Sequence, residues 1–263
     1  FLLKQGYNGS GSTNTGRDNQ GFPLKQKDVG AVGFANYIAN TSTTGVPIGD
    51  MIVTSGEFNV GGGAGTFAAS AWINIENNAS IKTVLNKRTQ NGGWPCIDMA
   101  VGTTGQVICN YSTTSYGQCL ETYTTDGGLI DPGKWYNIVF VKPAGDYQGV
   151  KIYIDGVDTG WTNTLYGSHT YSTTVATSTQ PMYLGRFLDG NNSTGNWVNP
   201  WVGQLGPIQV YTEALTSAQV KQNFAAQANR FQVPRGIVGS GLRMWLDAAQ
   251  PGSYPGSGTT WYD

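Results

Sequence analysis

The stretch that decides the fold runs from Lys134 to Phe231 and consists of five segments with strand, turn or helix signals. In chain order these segments read KWYNIVFVK (134–142), KIYIDGVDTGW (151–161), PMYLGRF (181–187), WVGQLGPIQVYTEALT (201–216) and SAQVKQNFAAQANRF (217–231). In the first segment Trp135, Asn137, Val139 and Val141 alternate with Tyr136, Ile138 and Phe140, so the two sets lie on opposite faces of a strand. The first four segments predict antiparallel strands, and the last predicts one short helix.

Local turn and cap signals separate these elements. Asp155-Gly156 suits the two positive-φ positions of a type I′ turn, which predicts a hairpin at that point. Thr216 has the chemistry of a helix N-cap, with Gln219 three residues later as its capping-box partner. Val220, Phe224 and Ala228 share one face of the helix, joined near its end by Phe231, and this stripe is expected to pack on the sheets.

Further strands are predicted towards the N-terminus. In Phe67–Ile75 both alternating faces are largely apolar, which is typical of a central strand covered on both sides. Strands are also expected at Ile81–Lys87, Cys96–Val101 and Gln106–Tyr111. The chain is therefore divided into an irregular N-terminal arm (1–40), a β-sandwich (41–232) and a C-terminal extension (233–263).

Composition excludes two classes of partner. The chain of 263 residues has 15 basic and 16 acidic residues and a net charge of −1, so it lacks the dense basic patch that nucleic acid requires. No apolar run approaches the roughly 20 residues of a membrane-spanning helix. Polarity comes instead from Ser, Thr, Asn, Gln and Gly, as in secreted, virion or cell-surface β proteins. We therefore expect a virion-surface, extracellular or cell-surface location.

Several motifs together resemble a laminin-G-like domain of the concanavalin A-like lectin/glucanase superfamily. They are FAASAWINI (67–75), KWYNIVFVK, KIYIDG, LGR (184–186) and ALTSAQV (214–220), in the order that the family shows. The resemblance covers about Ile48 to Phe231. It implies an all-β fold, an antiparallel two-sheet β-sandwich or jelly roll with one short C-terminal helix. The segment SYPGSGTTW (253–261) is similar to the start of a following module in tailed-phage structural proteins and bacterial surface proteins.

Catalytic signals are weak, so the chain is not expected to be an enzyme. The single histidine, His169, lies in a polar loop, where an exposed side chain is the usual outcome. Retaining glycosidases need two carboxylates about 5–5.5 Å apart. The glucanase branch of the superfamily supplies them from an E-x-D-x-x-E strand. The glutamates of this chain occur singly; they are Glu57, Glu76, Glu121 and Glu213.

No cofactor is expected, although polar loops offer ligands for a calcium site. Asp155 and Asp158 flank the predicted hairpin and Asp189 begins the loop DGNNSTGN, so carboxylate and amide oxygens are available. The alternative is that these residues bond their own backbone in turns. Many members of the family have an acidic residue in the penultimate strand, where this chain has Gly206-Pro207. Pro207 lacks a backbone donor and predicts a bulge or a sheet edge there.

Five aromatic residues are candidates for carbohydrate or partner binding. We expect them in loops with partly exposed rings beside Asn and Asp; they are Trp161, Tyr166, Tyr171, Trp197 and Trp201. Flat rings stack on sugars, but they also suit protein contacts, and the sequence leaves both open. Trp72 and Trp135, inside strands, are expected in the core.

Three cysteines, Cys96, Cys109 and Cys119, cannot form a complete disulfide framework. Cys96 and Cys109 lie on consecutive predicted strands, where they could face each other. Buried free thiols are the alternative that we favour.

The functional hypothesis is a non-enzymatic structural or adhesive module on the exterior of a virion, as fibre or capsid decoration, or on a cell surface. The alternative is a carbohydrate-binding, lectin-like domain with or without calcium. The expected partners are other structural subunits or surface glycans, in an oligomer or a larger assembly, with no nucleic acid and no membrane insertion.

Overall fold

A computed structural model describes residues 65–88, 95–112, 120–145, 147–166, 175–176, 178, 182–189 and 196–231, together with the backbone of short strands between residues 6 and 53. At 88, 95–96, 147, 188–189 and 196–198 only the backbone is described.

The described elements are strands, one α-helix and short 3-10 turns. The strands are, in chain order, β1 (Gly6–Tyr7), β2 (Thr13–Asn14), β3 (Val32–Phe34), β4 (Asn36–Thr41), β5 (Pro47–Gly49), β6 (Ile52–Val53), β7 (Phe67–Ile75), β8 (Lys82–Arg88), β9 (Pro95–Val101), β10 (Val107–Ser112), β11 (Leu120–Thr124), β12 (Trp135–Lys142), β13 (Lys151–Ile154), β14 (Val157–Asp158), β15 (Thr162–Tyr166), β16 (Met182–Leu184), β17 (Phe187–Asp189), β18 (Asn196–Val198) and β19 (Gly203–Tyr211). Helix α1 spans Ser217–Gln227 and continues into a 3-10 turn, Ala228–Phe231.

Two antiparallel sheets contain most of these strands. Within the described part of the chain, nine strands form one sheet in the order β15-β11-β10-β9-β8-β16-β6-β1-β2. Six strands form the other sheet in the order β14-β13-β12-β7-β19-β3. The predicted fold class, an antiparallel two-sheet β-sandwich with a short C-terminal helix, is confirmed.

The main core contains inward-facing residues of both sheets. From β7 it takes Phe67, Ala69, Ala71, Ile73 and Ile75, all fully buried. The nine-stranded sheet contributes its own inward positions to the same cluster; they include Leu85, Ile97, Met99, Val107, Cys109, Tyr111 and Tyr123. Because side chains alternate along a strand, the residues between these positions face away from the core.

Helix α1 and the 3-10 turn cover the second face of the six-stranded sheet. Val220 packs with Ala68, Val139 and Val141 in a separate buried cluster. The predicted stripe on the helix is confirmed, since Phe224 and Phe231 both stack on Trp72. Strand β7 is therefore covered on both sides, as its sequence predicts.

The cap of α1 is the predicted capping box. The Thr216 hydroxyl accepts from the Gln219 backbone N–H at 3.3 Å, and Gln219 Oε1 accepts from the Thr216 backbone N–H at 2.8 Å. Two otherwise unpaired backbone donors are satisfied in this way.

The hairpin and the bulge are also where local chemistry predicts them. Asp155 and Gly156, between β13 and β14, have φ values of 52° and 78°, and the positive sign at both positions is what a type I′ turn requires. In β19 the pairing with β7 shifts register between Leu205 and Ile208, around Pro207. A Cβ atom on Gly206 would lie 2.8 Å from Trp72 Cβ, so packing leaves no room for the acidic residue of many relatives.

The structure contains strands in two regions that the sequence predicts to be irregular. In the stretch expected to be a loop after the hairpin, residues 162–166 instead form β15, because they pair in full register with β11. Within the predicted N-terminal arm, the described backbone places β3 beside β19 and β1 beside β6.

Residues 233–263 lie outside the described residues, and the three domain boundaries remain predictions. Across the described residues, no helix is long and apolar enough to span a membrane.

Candidate functional site

The predicted aromatic binding residues differ in their exposure where the structure describes them. Trp161 is partly buried: its indole N–H donates to the Val150 carbonyl at 2.8 Å, and its ring meets Tyr123 edge-on at 5.0 Å. Tyr166 is 49% exposed, in agreement with expectation. Tyr171 and the Trp197 side chain lie outside the described residues.

The expectation of an exposed ring is wrong for Trp201. Its side chain is fully buried in the main core. The backbone explains this placement, because the Trp201 N–H donates to the Gly185 carbonyl at 2.8 Å and so holds the residue against the end of β16. Trp201 is therefore part of the core and cannot stack on a ligand at the surface.

The predicted calcium ligands have other bonds where they are described. Asp155 Oδ1 accepts from the Asn137 backbone N–H at 2.7 Å. Asp158 forms an ion pair with Lys151 at 2.9 Å and accepts from the Gly160 N–H at 3.2 Å. These are the bonds of turn-forming residues, the alternative that the sequence left open; a calcium site at these carboxylates stays a prediction. The Asp189 side chain is outside the described part, within which no group of three His, Cys, Asp or Glu could hold a metal.

Burial raises the pKa of the Asp155 carboxyl to about 6, and the hydrogen bond from Asn137 opposes this shift. Asp155 is half-buried in the turn between β13 and β14.

The glutamates that the structure describes lie in different surroundings. Glu121 is buried and accepts from the hydroxyls of Tyr111 and Tyr123 at 2.5 Å each. Glu76 and Glu213 are exposed. His169 and Glu57 lie outside the described residues.

Cys109 is a buried free thiol, and burial raises its pKa well above the usual value. It lies opposite Met99 in the β10–β9 register, on the core side of the sheet. The interpretation of Cys109 as a buried thiol is confirmed, and the pairing with Cys96 is not formed.

A different candidate emerges from the register of β10, β11 and β15. The outward-facing residues of these strands form a grid of three directly paired rows, which we call the three-strand patch. The rows are Ile108–Thr124–Thr162, Asn110–Thr122–Thr164 and Ser112–Leu120–Tyr166. At about 4.8 Å between strands and about 3.4 Å per residue, the patch measures roughly 10 Å by 14 Å.

Hydroxyl and amide groups dominate this patch. Six of the nine positions carry a hydroxyl, one carries an amide, and two are aliphatic. Exposure increases towards the sheet edge, where Thr162, Thr164 and Tyr166 are all exposed. Ser112 at the opposite side is buried, and its hydroxyl has no hydrogen-bond partner in the described part of the chain. The patch therefore offers neutral donors and acceptors beside one exposed aromatic ring.

The amide of Asn110 is held by its neighbour on β9. Asn110 Nδ2 donates to Asp98 Oδ2 at 2.8 Å, and both side chains are at most 8% exposed. Asn86, opposite Asp98 on β8, donates to the other carboxylate oxygen at 3.5 Å. With its N–H₂ group turned towards Asp98, Asn110 keeps its oxygen on the side away from that carboxylate.

Sequence reasoning missed this patch for a specific reason. The pattern around Asp98 and Asn110 does place each polar residue between inward-facing apolar residues, in CIDMAV (96–101) and VICNYS (107–112). However, the sequence predicts a loop at residues 162–166. That prediction gives Thr162 and Thr164 no partner strand. The alternation of polar and apolar residues indicates which residues of each strand face outward. The pairing between the strands is also needed to show that these outward residues form one patch.

Comparison with known proteins agrees with this architecture. The profile of a laminin G family, described as Concanavalin A-like lectin/glucanases superfamily, matches residues 48–221. The chain belongs to this superfamily. The predicted resemblance is thereby confirmed. No curated protein matches the sequence.

Several solved structures match the chain at low sequence identity. The heptameric SAP-like pentraxin of Limulus polyphemus is 16% identical, with a TM-score of 0.48 over 74% of this chain and 82% of that chain. The binding domain of Paraclostridial Mosquitocidal Protein 1 is 14% identical, with a TM-score of 0.50 over 78% of this chain and 46% of that chain. The CBM40 domain of the Ruminococcus gnavus IT-sialidase, bound to alpha2,3 sialyllactose, is 12% identical, with a TM-score of 0.44 over 61% and 83%. These likenesses concern the fold alone.

Proposed function

We propose that this chain is a non-enzymatic, lectin-like module that binds glycans through the three-strand patch and acts in adhesion at the outer surface of a virion or a cell. Membership of a lectin superfamily supports a binding role. Because one fold hosts many functions, the specific proposal depends on the site and not on the fold.

The observation that carries the proposal is the paired grid on β10, β11 and β15, in which seven of the nine outward positions have a neutral hydrogen-bonding group. Sugar hydroxyls both donate and accept, so they match Thr and Tyr hydroxyls and a fixed amide oxygen. The Tyr166 ring supplies an apolar surface beside these groups. A binding site of this kind needs a few well-placed polar groups rather than a reactive residue.

The Asp98–Asn110 hydrogen bond fixes the orientation of the Asn110 amide before the ligand binds. A side chain already held in one orientation loses little freedom on binding, which lowers the cost of association. Asn110 therefore contacts the glycan directly, while Asp98 holds the Asn110 side chain in place.

The proposed surface location has support from composition. Charged residues make up only 12% of the chain, while Ser, Thr, Asn and Gly supply most of its polarity. We also propose that the chain is part of an oligomer or larger assembly, as a fibre, a capsid decoration or a cell-surface adhesin.

A glycan array with the purified chain tests the proposal. We expect retention on a subset of glycans, reduced about threefold to tenfold by Thr164→Val, because each lost hydrogen bond contributes about 0.5–1.5 kcal/mol. Thr164→Val keeps the shape of the side chain and removes its hydroxyl.

The matched control is Thr103→Val, the same change at an exposed threonine in a turn outside the patch. It should leave retention unchanged. Absence of retention on any glycan, or equal retention by Thr164→Val and the wild type, would show that this patch is not a glycan site.

A further inference from the structure

Three polar side chains form a hydrogen-bonded cluster on the core side of β10 and β11. They are Tyr111, Glu121 and Tyr123, which we call the carboxylate cluster, and all three are fully buried. Glu121 Oε2 accepts from both tyrosine hydroxyls at 2.5 Å, and the two hydroxyl oxygens are 3.1 Å apart. The two rings stack with 5.7 Å between centroids and 12° between planes. Each member of the cluster therefore contacts the other two.

The carboxylate cluster lies on the opposite face of the strands that form the three-strand patch. On β11, Glu121 and Tyr123 lie on either side of Thr122, the middle position of the patch. Tyr111 is directly opposite Glu121 in the β10–β11 register. Because side chains alternate along a strand, a slip of one residue in β11 would turn Thr122 to the core and Glu121 to the surface. The bonds of the cluster and the rows of the patch thus belong to one register.

The carboxylate cluster also contacts the start of the third strand of the patch. The Tyr123 ring meets the Trp161 ring edge-on at 5.0 Å, and Trp161 immediately precedes Thr162, the first residue of β15. The Trp161 indole N–H donates to the Val150 carbonyl at 2.8 Å, which holds the ring in place. The residue from which β15 begins therefore packs on the cluster.

A buried carboxyl group restricts strand pairing more than apolar side chains do. Apolar residues gain burial in several alignments, whereas a buried carboxyl group is satisfied only where its donors meet it. A buried polar residue fixes the register of coiled-coil helices in the same way. Burial raises the pKa of Tyr123, so its hydroxyl keeps the proton that it donates to Glu121.

We infer that Glu121 is a positioning residue for the three-strand patch: by binding Tyr111 and Tyr123, it selects the pairing of β10 with β11 that aligns the outward hydroxyl and amide groups. This inference rests on the proposed function, because the aligned groups are those that we propose to bind the glycan. Glu121 is fully buried and acts on the glycan only through the strand pairing.

The test combines glycan retention with NMR of the strand pairing. Glu121→Gln keeps the size of the side chain but replaces one acceptor oxygen by a donor, so the two hydroxyls no longer share a carboxylate. We expect retention per folded molecule to fall about tenfold, the equivalent of one or two hydrogen bonds to the ligand. We also expect a second set of amide signals from β10, β11 and β15, because more than one pairing is then populated.

Tyr123→Phe is the second variant, in case Glu121→Gln does not fold. It removes one donor, keeps an aromatic ring beside Trp161, and should lower retention about threefold. The control is Ile73→Ala, a buried position of the other sheet. It should lower the urea midpoint but leave retention per folded molecule and the single set of signals unchanged.

Unchanged retention per folded molecule in both cluster variants would overturn the inference, even if their urea midpoints fell, because Glu121 would then serve stability alone. The proposed function would still stand. If the wild type retained no glycan, the proposed function would fail, and the NMR comparison would still decide the role of Glu121. A single, wild-type set of signals in Glu121→Gln would show that it does not select the pairing.

Discussion

The indole of Trp72 and the ring of Phe231 lie nearly parallel, with 4.3 Å between centroids and 18° between planes. Trp72 belongs to the central strand β7, whereas Phe231 ends the 3-10 turn after α1. The contact attaches the end of the described fold to the centre of the six-stranded sheet. Trp135 adds a tilted contact to the same ring at 4.7 Å.

Replacing Phe231 by Ala should lower the free energy of unfolding by about 3–5 kcal/mol, the usual range for a buried Phe. The cause is the lost burial together with the cavity left beside Trp72. Urea unfolding followed by tryptophan fluorescence measures this loss. The control is Gln222→Ala on the exposed side of α1, which should change stability by less than about 0.5 kcal/mol. Equal effects of the two changes would show that the ring stack does not anchor the helix.

Stability should depend on pH through Asp155. Its pKa is raised from 3.8 to about 6 in the folded chain. Between these values the folded state binds more protons than the unfolded state, so the free energy of unfolding falls as pH rises. The contribution to folding is complete below about pH 4 and is lost as pH passes 6. After allowance for partial solvent screening, its size is about 1–2 kcal/mol.

Asp155→Asn isolates this effect, because asparagine keeps an oxygen acceptor for the Asn137 N–H and tolerates a positive φ. The free energy of unfolding of the wild type minus that of the variant should therefore be larger at about pH 4 than at about pH 7. Melting temperatures of both proteins across that range give the difference. If the melting temperatures of the two proteins changed with pH in parallel, the raised pKa of Asp155 would be refuted.

Calcium should leave the melting temperature unchanged. A micromolar site in millimolar calcium would add about 4 kcal/mol to the stability of the native state. Asp155 and Asp158, however, already bond the backbone and Lys151. Melting curves in calcium and in chelator check this expectation. A reversible rise of several degrees in calcium would contradict it, and loss of that rise in Asp189→Asn would then identify the loop that supplies the site.

Features governed by neighbouring residues could be predicted from the sequence. The Asp155-Gly156 turn, the Thr216 capping box and the bulge at Pro207 each follow from the conformational limits of a few residues. The predicted bounds of β7 match the structure to the residue, because its apolar alternation is unbroken. Each of these signals acts over a distance of a few positions along the chain.

Features set by distant pairing could not be predicted. Trp201 follows Asn199-Pro200, a combination typical of an exposed loop, yet its bond to Gly185 holds it in the core. Residues 162–166 have no strong strand pattern and become a strand only through β11. The three-strand patch depends on that same pairing, which no local pattern in β15 indicates.

The position of α1 at the end of the sandwich sequence has a consequence for synthesis. During translation β7, β12 and β13 leave the ribosome well before the helix that covers them. Until Phe231 has emerged, the apolar face of Ala68, Trp72 and Val139 lacks the cover of α1 and the 3-10 turn, although the rest of the two sheets is already available for pairing. Vectorial folding of this chain must therefore pass through a species with an exposed apolar sheet face, a surface that favours association. Premature termination before Ser217 would make that species permanent.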